Sequence, residues 1–165
     1  MTEDKFCPKC RHELGFEEVH GTVRPVCTNC YHVMFYGPKL VTTVIVESEG
    51  RILMVKRSIE PGFGLWCFPG GYVQTGEVVE QGAIREVFEE TGLHIKIDGF
   101  IGLFSEENHP VVLSVYYGSI LGGQLEAGLE VSEVGFFMPD ELPELAFPKD
   151  IEVLRTWMHS RKSCK

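Results

Sequence analysis

An α+β fold with a small cysteine-bearing appendage is what this sequence predicts, and three observations predict it. Strand-like and helix-like segments follow one another in mixed order. Four cysteines fall in two tight pairs near the N-terminus. One helix-like stretch gathers its carboxylates on a single face. The 165 residues suit one ordinary domain plus an appendage. Hydrophobic residues make up 44%, enough for a real core, and charged residues 24%. No apolar run approaches the roughly 20 residues of a membrane span. Met1-Thr2-Glu3-Asp4-Lys5 lacks the basic-then-apolar pattern of a secretory signal, so a cytoplasmic home is expected.

The elements read in order as follows. Residues 6–36 carry the paired cysteines and three histidines. Residues 38–62 form a β-hairpin: Leu40–Val46 is β-rich, Ser48-Glu49-Gly50 turns, and Arg51–Arg57 returns. Pro61-Gly62 and Pro69-Gly70-Gly71 break the chain. Residues 78–91 lack Pro and β-alternation and read as a helix that Gly92 stops. Strands are expected at 94–104, 111–121 and 131–138, and Pro139-Asp140-Glu141-Leu142 as a turn into a short helix. A final helix over 149–162 would place Ile151, Leu154, Trp157 and Met158 on one face. The chain has no internal repeat and no low-complexity segment.

Cys7-Pro8-Lys9-Cys10 and Cys27-Thr28-Asn29-Cys30 are two C-x₂-C knuckles with 16 residues between them. Each knuckle sets two thiolates close enough to share one tetrahedral ion, and the spacing suits a hairpin that closes the site. A Cys₄ zinc site is expected, with His12, His20 and His32 left out because four thiolates already complete it. A segment of about 30 residues cannot bury enough surface to fold alone. The zinc ion is therefore read as a structural staple, since no basic patch surrounds the knuckles.

The formal net charge is −9, which repels nucleic-acid backbones and anionic membranes. The densest basic cluster is only Arg161-Lys162. An acidic protein that handles phosphates needs cations to bridge the like charges. On a helix over 78–91, Glu86, Glu89 and Glu90 fall within about 100° of one another. Ala83, Ile84, Val87 and Phe88 take the opposite, sheet-facing side. Like charges at these spacings repel and raise one another's pKa unless hard divalent cations neutralise them. Arg85, four residues before Glu89, can pair with it.

Residues 71–93 resemble a complete Nudix box: Gly71, five residues, Glu77, seven residues, then Arg85-Glu86-Val87-Phe88-Glu89-Glu90-Thr91-Gly92-Leu93. All nine constraints across 23 residues are met. Leu65–Gly71 resembles the usual run into the box, and the general layout is similar over residues 40–148. The resemblance implies an α/β/α sandwich around a mixed sheet, with residues 1–36 as a zinc ribbon and 37–165 as the Nudix hydrolase domain. It implies cleavage of a nucleoside diphosphate linked to another moiety, with Mg²⁺ or Mn²⁺ held by Glu86, Glu89 and Glu90 and supported by Glu77. Arg85 would orient a glutamate, and the Gly70-Gly71 backbone would approach the phosphate or a metal. Val78 stands where many members have a Ser or Thr cap, at a cost of about 1 kcal/mol.

The base could come from the box or from a later loop, where Glu130 and Glu133 are the candidates. Two Nudix branches carry a ribbon. The run that NADH pyrophosphatases place after the box is missing from residues 94–110. Phe6-Cys7, Pro38-Lys39, Lys56-Arg57, Gly64-Leu65-Trp66 and Leu145-Ala146-Phe147 resemble the branch of ADP-ribose and FAD pyrophosphatases. ADP-ribose or FAD is thus the expected substrate and AMP a product. Arg57 is a candidate phosphate contact. Phe63, Trp66 and Tyr36 are candidate stacking surfaces, with core packing the favoured fate of Trp66. His109 reads as a solvated loop residue, and Cys67 and Cys164 as incidental. Competing readings are an NADH, dinucleoside polyphosphate or capped-RNA hydrolase, and a non-catalytic nucleotide-sensing module. The intact box opposes sensing, and the acidity disfavours a nucleic-acid partner. A homodimer is left open.

Overall fold

The computed structural model describes residues 4–162, so Cys164 lies outside it. The chain divides after Pro38 into two compact units. Among the described residues no helix is long and apolar enough to cross a membrane.

The N-terminal unit is built on an antiparallel hairpin of β1 (Leu14–Val19) and β2 (Thr22–Cys27), turning at His20-Gly21. Its two knuckles repeat one conformation. The Arg11 and Tyr31 amides donate to the carbonyls of Cys7 and Cys27, and the amides of those cysteines donate to His12 and His32. Arg11 and Tyr31, each four residues after the first cysteine of its pair, adopt the left-handed conformation. The left-handed residue turns the chain back directly after the second cysteine of each pair, so that the next residue's carbonyl meets the amide of the first.

The second unit is a mixed seven-stranded sheet with a helix on each face. Its centre is β3 (Lys39–Ser48), a β-branched run buried from Thr42 to Val46. It turns through Glu49-Gly50, both at positive φ, into antiparallel β4 (Arg51–Arg57). Toward its start, β3 pairs with β6 (Gly70–Tyr72). Along most of its length it runs parallel to β8 (Val111–Gly123). Outside β8 lies β7 (Leu93–Ser105), and outside β4 lie β5 (Trp66–Cys67) and β9 (Val131–Phe137).

Strand alternation assigns the two cores. Val44 and Val46 pack with Ala83 and Val87 of helix α1 (Val79–Thr91). Ile45, between them in sequence, faces the other way with Ile52 and Met54. There it meets Val153, Leu154 and Trp157 of α2 (Lys149–Lys162). This is the expected sandwich.

Three local expectations are corrected. The segment after Pro139 turns but forms no helix. Pro143 disfavours the helical region for Leu142, and the chain instead runs beside β5, where the Trp66 N–H donates to the Glu144 carbonyl and the Ala146 N–H to the Trp66 carbonyl, on either side of Leu145. Phe88 is half-exposed and stacks on His94 at 4.6 Å between centroids, so the core face of α1 is narrower than its apolar stripe. In α2, Ile151 and Met158 are exposed, and the buried face is Asp150, Val153, Leu154 and Trp157.

Candidate active site

Helix α1 begins without a side-chain cap at Val78 and ends at Gly92, whose left-handed φ of 69° lets its N–H reach the Phe88 carbonyl. Its last turn holds no basic residue. Glu86, Glu89 and Glu90 therefore sit at the negative end of the helix dipole, where carboxylates are unfavourable and cations favourable.

Arg85 organises this group. Its guanidinium donates to both oxygens of Glu77 at 2.8 and 3.0 Å, to Glu86 Oε1 at 2.7 Å, to Glu89 Oε2 at 3.0 Å and to the Tyr72 carbonyl at 3.2 Å. The predicted pairing with Glu89 is thus one of several. The bidentate Arg85 contact and the Gln74 N–H pull the Glu77 carboxyl down to about 2. Glu90 is the opposite case. Burial pushes it up to about 8, against the Gly70 N–H that donates to its Oε2 at 2.8 Å, while the charges of Glu86 and Glu130 add to the rise. Burial raises Glu86 as well, and Arg85 opposes it.

The oxygens divide informatively. Glu77 has both oxygens committed to Arg85. Glu86, Glu89 and Glu90 each have one oxygen engaged and a second that accepts no hydrogen bond. These are hard oxygen donors of the kind that fits a divalent cation such as Mg²⁺ or Mn²⁺. Gly71 makes room for Glu86, because a Cβ there would collide with its carboxylate.

The two later carboxylates separate, and Glu133, expected on a loop, lies within β9. Glu130 acts electrostatically on both Glu86 and Glu90. Glu133 lies opposite Lys56 across β4 and β9 and pairs with its ammonium at 2.6 Å. Arg57 is turned inward. Its Nε donates to the Pro61 carbonyl at 2.6 Å, its guanidinium lies 5.3 Å from the Phe147 ring, and its charge opposes the upward shifts of Glu90, Cys67 and Asp150. Trp66 is half-buried edge-on to Phe137 at 4.8 Å, the packing role expected of it. Phe63 is exposed on the loop between β4 and β5. Tyr36 belongs to the N-terminal unit, where its hydroxyl donates to Asp4 at 2.7 Å. His109 is exposed, and burial pushes the Cys67 thiol up to about 12.

Two features escaped the sequence. Tyr72, directly after Gly71, is exposed and has the Lys39 ammonium 5.5 Å from its ring centre. Its position next to the Gly-Gly pair was the available signal. Asp150 is buried with Oδ2 unpartnered, and burial pushes it up to about 7. An Asp at a helix start reads as an ordinary first-turn acid, so nothing in the sequence marked it.

In the N-terminal unit the ligand sulfurs of Cys7, Cys10, Cys27 and Cys30 all lie within 4.8 Å of one another. Neighbouring pairs are 3.3, 3.4 and 3.7 Å apart. A tetrahedron of zinc–thiolate bonds has edges of about 3.8 Å, so the cage fits zinc. The Cys30 N–H, 3.4 Å from Cys27 Sγ, is the first cause that lowers this thiol to about 6. No histidine joins the cluster among the described residues.

Residues 38–157 match the family model described as NUDIX domain. An ADP-ribose pyrophosphatase of Methanocaldococcus jannaschii is 33% identical, covering 76% of each chain. The NAD-capped RNA hydrolase NudC of Haemophilus influenzae is 34% identical over 56% of this chain, which spans only 35% of that relative. A crystal structure of a NUDIX hydrolase from Nitrosomonas europaea superimposes with a TM-score of 0.90 at 29% identity, over 97% of this chain and 93% of the other. With a box whose arginine gathers its glutamates at the end of one helix, the chain belongs to the Nudix family and is a Nudix pyrophosphohydrolase.

Proposed function

We propose that the protein cleaves the diphosphate bond of a nucleoside diphosphate linked to another moiety, that ADP-ribose or FAD is its substrate, and that AMP is a product. The observation that carries the reading is the set of open oxygens on Glu86, Glu89 and Glu90 at the negative end of α1. With a net charge of −9, cations are the means by which this site holds a diphosphate.

Glu86, Glu89 and Glu90 are the ligands of Mg²⁺ or Mn²⁺. Glu77 supports them as the anchor of Arg85, which in turn holds Glu86 and Glu89 in position. Held by these residues, the ions would supply charge neutralisation for the diphosphate and a lowered pKa for the attacking water. Glu130 takes the proton from that water, because it is the loop carboxylate whose charge reaches the box. Glu133, already paired with Lys56, is the weaker candidate. Water adds to one phosphorus, the bridging P–O bond breaks, and the two phosphomonoesters leave. Tyr72 and Phe63, both exposed, offer ring faces to the nucleoside ends. Arg57 acts from behind, as a counter-charge to Glu90 and Asp150. Zinc in the Cys₄ cage staples the N-terminal unit.

The relative named ADP-ribose pyrophosphatase supports the substrate class, and the NudC relative supports an NADH-like alternative. The test is hydrolysis of a panel of ADP-ribose, FAD, NADH and diadenosine polyphosphates, with products identified. AMP from ADP-ribose or FAD is expected. Inorganic phosphate or diphosphate, released from a nucleoside triphosphate as the main product, would overturn the substrate class.

A further inference from the structure

The last carbonyls of a helix have no partners within it. In α1 the last two, those of Glu90 and Thr91, are taken up by one segment, residues 124–130, between β8 and β9. The Glu126 N–H donates to the Thr91 carbonyl at 2.9 Å, and the Gly128 N–H to the Glu90 carbonyl at 3.0 Å. The segment then closes on itself through Val131 N–H to the Gly128 carbonyl, 3.3 Å, and is tied across by Ser58 N–H to the Glu130 carbonyl, 3.0 Å. The approach is so close that a Cβ on Gly128 would overlap the Glu89 carbonyl oxygen and stand 3.1 Å from Glu90 Cα. Only a residue without a side chain fits there. Two residues on is Glu130, whose charge reaches Glu86 and Glu90.

We propose that Gly128 is a positioning residue: it lets the 124–130 segment lie directly on the backbone of Glu89 and Glu90, so that the helix carrying the acidic cluster also sets where Glu130 stands. The inference rests on the reading of Glu130 as the base, and it adds that helix and base move as one body. Holding a reacting group in place is worth orders of magnitude in rate, and a displacement of about 1 Å can cost 10²-fold.

The variant is Gly128→Ala. Its expected effect is a fall in kcat of about tenfold or more, with KM and Mn²⁺ affinity, read by titration, unchanged. Combined with Glu130→Gln it is expected to add little, since both act on one group. Gly122→Ala, a site in β8 where a Cβ meets nothing within 4 Å, is the control with wild-type kcat. Wild-type kcat in Gly128→Ala, a loss explained by weaker Mn²⁺ binding, or full multiplication with Glu130→Gln would each overturn the proposal. Should Gly128→Ala fail to fold, amide exchange on the wild-type protein decides. The Glu126 and Gly128 amides are expected to be protected as well as the last turn of α1, and free exchange there overturns the inference. Full activity of Glu130→Gln instead removes the base assignment, while the exchange result still tests the fastening of the segment.

Discussion

Glu90 and Asp150 are two carboxyls that burial has moved far from their usual range, to about 8 and about 7. Glu77 is the opposite case, since Arg85 keeps its carboxyl near 2. For a carboxyl whose folded pKa is raised, the native state binds more protons than the unfolded one between the two values. Its favourable contribution is then present at low pH and is lost as pH rises through the folded value. Asp150→Asn, an isostere without charge, is therefore expected to flatten the fall of Tm between about pH 4 and pH 7. It should raise Tm at pH 8 by roughly 5 °C, and melting curves at pH 5 and pH 8 check this. A Tm at pH 8 no higher than wild type would mean that Arg57 already compensates the charge. Glu90→Gln differs because Glu90 is proposed to offer its open oxygen to a cation. It is expected to weaken Mg²⁺ binding and to cut kcat by about 10²-fold, roughly 2.7 kcal/mol, while stabilising the metal-free protein. Glu17→Gln, on an exposed strand position of the N-terminal unit, should do neither. Wild-type kcat for Glu90→Gln at saturating Mg²⁺ would sink the assignment of the acidic face.

At the scale of the element, α1 combines a weak start with a well-tied end. Val78 supplies no side-chain cap, whereas the end is closed by Gly92 and by the 124–130 segment. Val78→Ser is expected to add about 1 kcal/mol by capping an orphan N–H. That raises Tm by roughly 3 °C and leaves kcat alone, because the cap lies at the other end of the helix from the carboxylates. Thermal melting with parallel kinetics is the check; a kcat change would mean that the two ends are coupled. The apolar stripe of α1 was legible from its spacing, but the exposure of Phe88 was not. Which stripe residues end up inside depends on how wide the contact with the sheet is, and α1 meets it along Ala83 and Val87. The same holds for α2, where Val153 replaces Ile151 and Met158 at the core.

For the whole molecule, the two units are expected to answer differently to metal removal. Chelation of zinc should loosen residues 6–36 more than the box, since four sulfurs within 4.8 Å replace a core that so short a segment cannot build. Hydrogen exchange before and after chelation checks this; equal protection would sink the staple reading. Local chemistry of neighbours in the chain determined much of this protein. Cysteine spacing settled which four side chains meet, and period-3.6 spacing put Glu86, Glu89 and Glu90 on one face. β-branched runs and turn residues set the hairpin of β3 and β4, each within a window of a few residues. What the tertiary structure alone decided depends on residues far apart in sequence. It paired Glu133 with Lys56 through the register of β9 on β4, and it put Glu130 where its charge reaches Glu86 and Glu90. It turned Arg57 inward to Glu90 and Asp150, and it brought Gly128 onto the backbone of α1. Sequence periodicity reports which face of an element a side chain takes, but not which element that face will meet. Register, burial and close backbone approach are properties of the packed chain.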